Sequence, residues 1–116
     1  MSIIIYRIQD KHGRGPWKPG FSHRWVQTRE DHNNLHPWYV EFGELDFSSF
    51  NHCAVGCLSV EQLRRWFSQH EYKTLLKYGY NSVKICVDEI IATSDIQTVF
   101  SRKKPLFKDV LKIKLY

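Results

Sequence analysis

The chain has 116 residues, of which 42% are hydrophobic, 25% charged and 15% aromatic, with a formal net charge of +5. That length suits one domain, residues 1–116, with a core that buries roughly 65% of the surface exposed by the unfolded chain. The composition is that of a soluble globular protein. Three cysteines, an odd number, argue against a disulfide framework. The one early apolar run, Ile3-Ile4-Ile5, is far too short to span a bilayer, and no leader pattern accompanies it. The expected setting is the cytoplasm, with no membrane partner.

Residues 2–8 form a β-branched run that predicts a central strand. From Gly13 to Trp25 the chain reads Gly-Arg-Gly-Pro-Trp-Lys-Pro-Gly-Phe-Ser-His-Arg-Trp. Glycine and proline cannot continue a helix or a central strand, so this is a loop. A loop that combines aromatics with basic side chains is costly to order and is expected to be a binding surface. Arg14, Trp17, Lys18, Arg24 and Trp25 are the candidate contacts, with Phe21 anchoring inward. Arginine and tryptophan are enriched in interface hot spots, and basic-aromatic pairs suit stacking and charge on single-stranded nucleic acid.

Residues 38–43 suggest a short strand, and 44–58 carry Phe47 and Phe50 as candidate core. Ser59 and Ser68 each precede a helix-start pattern, with Gln62 and Glu71 three residues on. Two short helices are predicted, about 60–67 and 69–78, ending at Gly79. Val83, Ile85 and Val87 alternate with polar positions in a strand over 82–87, where Cys86 is expected to be buried. A turn or helical excursion over 88–94 precedes strands at 96–101 and 110–116. The fold class expected is α+β: a single mostly antiparallel sheet with the two helices packed on one face. Ile4, Val60, Leu63, Trp66, Phe67, Leu75, Leu76, Val83, Ile85, Val87, Val99 and Phe100 are the expected core.

Charge is uneven. Residues 59–116 hold eleven basic and six acidic side chains, whereas residues 1–58 hold six of each. Lys112 and Lys114 alternate with Leu111, Ile113 and Leu115, as on an edge strand guarded against pairing. The same tail could instead meet nucleic acid or an acidic protein.

Metal and thiol chemistry have thin support. His52, Cys53 and Cys57 supply one pair of ligand spacing, and only His32 and His36 stand as a further pair, so no metal is expected and the cysteines read as buried filler. Six histidines offer bases to a reactive cysteine by number alone. The glycines after the first strand lack a Walker lysine and a following helix, and Pro16 and Pro19 remove amide donors. An arginine clamp on phosphate, from Arg7, Arg14 or Arg24, stays open.

Three short segments resemble ADP-ribosyltransferase domains. Tyr6-Arg7 is similar to their aromatic-Arg pair on the first strand. Phe47-Ser48-Ser49-Phe50 stands where they have a Ser-rich strand, and Gln97 stands at the start of a late strand, where they have Glu or sometimes Gln. The resemblance implies NAD as the bound dinucleotide. Arg7 would hold its pyrophosphate, Ser48 or Ser49 would support the nicotinamide ribose, and Gln97 would take the place of the catalytic acid.

Two function classes follow. One is a small binding or inhibitor protein without cofactor, acting on a protein or nucleic acid through residues 13–25. In general type it resembles phage or mobile-element accessory proteins, including inhibitors of host defence. The other is an NAD-dependent ADP-ribosyltransferase-like enzyme, with Arg7 and Gln97 converging in a cleft roofed by the Gly13–Trp25 loop.

Overall fold

The computed structural model describes residues 3–17, 21–26, 35–43 and 52–116. In chain order these form β1 (Ile3–Gln9), a 3-10 turn (Ser22–Arg24), α1 (Trp38–Glu41), β2 (His52–Gly56), α2 (Val60–Trp66), α3 (Gln69–Lys77), β3 (Asn81–Val87), β4 (Glu89–Thr93), β5 (Thr98–Arg102) and β6 (Leu111–Ile113). None of the described helices is long and apolar enough to cross a membrane.

The expected single sheet with two helices is wrong. The described residues form two antiparallel sheets of three strands, ordered β1-β3-β6 and β2-β5-β4, and three α-helices. The two strands that sequence patterning missed, β2 and β4, take β5 between them and so remove it from the β1-β3 sheet. Residues 88–94 are therefore mainly strand, not a turn or helical excursion. The register of β4 shifts between Ile90 and Ala92, and such a bulge breaks the alternation by which a strand is read. The chain passes from one sheet to the other at Asp88, whose amide donates to the Ser101 carbonyl.

In the first sheet β3 is central. Ile3 lies opposite Val87 and Gln9 opposite Asn81, while Ser82 to Lys84 face Ile113 to Leu111 on the other side. Among the described residues, one isolated backbone bridge joins the two sheets. Tyr6 and Cys57 exchange both backbone hydrogen bonds at 2.8 Å. Gly56 permits this approach, because a Cβ there would lie 2.3 Å from Ile5 Cγ2 and 2.9 Å from the Tyr6 carbonyl oxygen. Next to that bridge β1 and β2 diverge, and both border the cleft described below.

Two apolar clusters hold the structure. Ile5, Val83, Ile85, Val87 and Phe100 pack between the sheets. Ile8, Trp25, Cys57, Leu63, Phe67, Tyr72, Leu75, Tyr80 and Leu115 pack between the first sheet and the helices. The helix starts are as the sequence predicts. Ser59 Oγ accepts from the Gln62 amide, and Ser68 and Glu71 form a reciprocal capping box. Some expected core positions lie further out. Leu76 and Cys86 are exposed, and Ile4, Val60 and Trp66 are half-buried. Leu76 falls on the outer side of α3 because Tyr72 and Leu75 already define its inner stripe. Residues 38–43 hold a helical turn rather than a strand: Pro37 caps it, and the Phe42 amide reaches back to the Trp38 carbonyl at 2.7 Å. Phe47 and Phe50 lie outside the described residues.

Candidate functional site

Arg7 occupies the middle of β1, where a chain otherwise rich in isoleucine turns its side chains inward. It is 6% exposed. Its guanidinium makes one hydrogen bond, from Nη2 to the Gly13 carbonyl at 3.3 Å, and stands 6.0 Å from the Phe100 ring centroid. Nε and Nη1 are buried without a partner among the described residues. Burial lowers its pKa to about 10, partly offset by Asp10, so Arg7 is still a cation at neutral pH. A buried cation with two idle donors is costly in a finished core. It suits a site built to receive an anion.

The loop after β1 shapes one side of that site. Asp10 Oδ1 accepts from the amides of His12 and Arg14, both at 2.9 Å, and the Gly13 amide returns to the Asp10 carbonyl. Gly13 adopts φ 82, and a Cβ there would lie 2.8 Å from Leu106 Cβ, so only glycine turns the chain here. The loop then runs against the helices. The Trp25 indole donates to the Pro16 carbonyl, and Trp17 lies edge-on to Trp25 with ring centroids 4.6 Å apart. Trp17 also meets Trp66 and Phe67.

The expectation that Trp25 projects to solvent is therefore wrong. It is 2% exposed and belongs to the core. Its flat ring fills the gap over Phe67 that a Gly- and Pro-rich backbone cannot fill itself. Trp17 is half exposed, and Arg14 and Arg24 are exposed. Phe21 anchors inward as expected, stacked on Tyr80. Lys18, Ser48, Ser49 and His32 lie outside the described residues.

Arg7 and Gln97 line one cleft of about 890 Å³ bordered by β1 and β2. That volume falls in the range that takes a nucleotide-sized ligand. Gly15, Pro16, Trp17 and Val26 form the loop wall, Trp66 and Phe67 the helix wall, and Trp38 and Tyr39 the far rim. Gln97 sits in the tight turn before β5. There Ser94 Oγ accepts from the Ile96 and Gln97 amides, and the Ser94 amide donates to the Gln97 carbonyl. The Gln97 side chain is 2% exposed. Its Nε2 donates to the His36 carbonyl at 2.7 Å and to Glu41 Oε1 at 2.6 Å.

Trp38, Tyr39 and Glu41 were missed in the sequence because a four-residue helix has no readable period. Pro37 before Trp38 was the one available signal. Burial disfavours the thiolate at the two cysteines beside the cleft, Cys53 and Cys57. Burial pushes Cys57 up to about 12 and raises Cys53 as well. Among the described residues no group of three His, Cys, Asp or Glu gathers as a metal site.

The family model described as Bacteriophage T4 Y00F protein matches residues 1–114. No curated protein matches the chain, and no solved structure does.

Proposed function

The chain belongs to the bacteriophage T4 Y00F protein family, and we propose that its cleft binds a phosphate-bearing nucleotide of the NAD type and that the protein acts as an ADP-ribosyltransferase-like enzyme. The observation that carries this reading is Arg7, a buried cation whose Nε and Nη1 lack partners, lining the same cleft as Gln97. Had the two side chains pointed away from each other, the resemblance would have had no site. Arg7 would hold the pyrophosphate through Nε and Nη1, the two donors it has to spare. Trp17, Trp66 and Trp38 offer flat apolar faces to a base or pyridinium ring. Gln97 would meet the nicotinamide ribose end. When bound, the dinucleotide supplies a glycosidic bond whose cleavage releases nicotinamide with the bonding electron pair and leaves ADP-ribose for an acceptor.

The test is titration calorimetry with NAD on the intact chain and on Arg7→Met, paired with an assay for released nicotinamide. The expected result is binding by the natural chain, a loss of at least about a hundredfold with Arg7→Met, as for a charged hydrogen-bonding partner, and nicotinamide release by the natural chain alone. Absence of NAD binding by the natural chain would end the reading.

The exposure of Arg14 and Arg24 beside the half-exposed Trp17 favours a second reading, docking of a protein or nucleic acid on the outer side of the same loop. A salt titration with single-stranded and duplex nucleic acid separates the partners, because phosphate contacts weaken steeply with salt.

A further inference from the structure

Gln97 is not free to choose which end of its amide it shows the cleft. The His36 carbonyl can only accept a hydrogen bond, and so can an ionised Glu41 carboxylate. The atom between them at 2.7 and 2.6 Å is therefore the nitrogen, which fixes the amide orientation by chemistry. Both Nε2 protons are committed. What remains for the cleft is the carbonyl oxygen, an acceptor. Glu41 Oε1 also accepts from Ser94 Oγ at 2.8 Å, and Ser94 orders the turn that carries Gln97. Glu41 thus ties α1 to the turn before β5 and places a negative charge directly behind the amide.

We propose that Glu41 is a positioning residue that holds Gln97 as an obligate acceptor toward the cleft and supplies the negative charge an amide lacks. A carboxylate accepting from the amide nitrogen draws electron density toward the carbonyl oxygen, so Gln97 shows more negative charge than a free glutamine. The far end of the cleft then favours a group that donates a hydrogen bond and bears positive charge, while Arg7 favours an anion at the near end. An oxidised nicotinamide dinucleotide has both: a pyridinium ring with adjacent hydroxyl donors, and a pyrophosphate. Its reduced form keeps the pyrophosphate and the donors but loses the ring charge. This inference rests on the dinucleotide reading above and assigns the discrimination to Glu41.

The experiment measures the affinities of NAD+ and NADH, by calorimetry and by quenching of the cleft tryptophans, for the natural chain, Glu41→Gln and Glu41→Ala. Thermal melts serve as a check that each variant folds. Glu41→Gln keeps an acceptor in place and removes only the charge. The preference for NAD+ over NADH is expected to fall about three- to tenfold in Glu41→Gln, a modest effect because Glu41 is solvent-exposed. NADH affinity should stay within about twofold there. Glu41→Ala is expected to weaken both ligands, since Gln97 can then rotate. An unchanged preference in Glu41→Gln, or equal affinities in the natural chain, would overturn the inference. If the natural chain binds neither form, the dinucleotide reading itself falls and this inference with it.

Discussion

Arg7 is held charged where it is poorly solvated, and that has a measurable consequence. Its pKa is lowered to about 10, below the usual guanidinium value. Holding the charged form in the fold costs about 3 kcal/mol if the whole shift is assigned to burial. A base with a lowered folded-state pKa destabilises the fold while both states are protonated, and the penalty lifts as pH rises through the folded value. Arg7→Met is therefore expected to melt at the same temperature or higher at pH 7, despite losing the contact with Phe100. Ligand binding has the opposite dependence. Affinity for an anion at Arg7 should be flat between about pH 6 and 9 and fall above about 10, as calorimetry in matched buffers can record. A melting temperature that drops by many degrees in Arg7→Met would mean that the arginine is a structural strut. Arg7 was legible in the sequence through the Tyr6-Arg7 pair on which the resemblance rests, and as one of three arginines able to clamp a phosphate. Glu41 was not legible, because its role depends on a backbone carbonyl and an amide far away in the chain.

The elements that frame the cleft depend on close approach more than on propensity. β2 reads His-Cys-Ala-Val-Gly, with little β-branched character. It is a strand because β5 pairs with it from His52 to Gly56. The bulged β4 escaped notice for the reason given above, and the two omissions together turned two sheets into one. The helices were easier. Serine caps and apolar spacing are local signals, and α2 and α3 lie within a residue of their expected bounds. The contact between the sheets yields a sharp expectation. Gly56→Ala would push a Cβ into Ile5 and the Tyr6 carbonyl. It should destabilise the chain by about 2 kcal/mol or more in urea denaturation, as overpacking at a rigid contact does. A Gly56→Ala variant as stable as the natural chain would show that the sheets can separate there freely. Trp66 ties α2 to the same region, since its indole donates to the Ile96 carbonyl at 2.8 Å, one residue before Gln97. Trp66→Ala should cost about 3 kcal/mol and weaken the wall against Trp17.

At the scale of the whole molecule, charge and cleft lie on different parts. The excess of lysine falls late in the chain, around β6 and the turn before it. β6 is the outer strand of its sheet, and Lys112 and Lys114 are exposed as an edge strand guarded by lysines requires. Arg102, by contrast, is buried and spends its guanidinium on the carbonyls of Cys86, Pro105 and Asp109, fixing that turn. The basic end thus has a structural account, whereas Arg7, also buried, keeps one hydrogen bond to Gly13 and leaves Nε and Nη1 without a partner among the described residues. The contrast between these two arginines is the basis for placing the site at the cleft. The most direct measurement follows the side-chain Nε–H signal of Arg7 by NMR, assigned through Arg7→Lys, while NAD is added. A large, saturable shift of that one signal, with smaller shifts at Gln97 and the Trp17 indole, is the predicted result. Binding that leaves the Arg7 signal in place while exposed Arg14 and Arg24 shift would contradict it and move the site to the outer face of the loop.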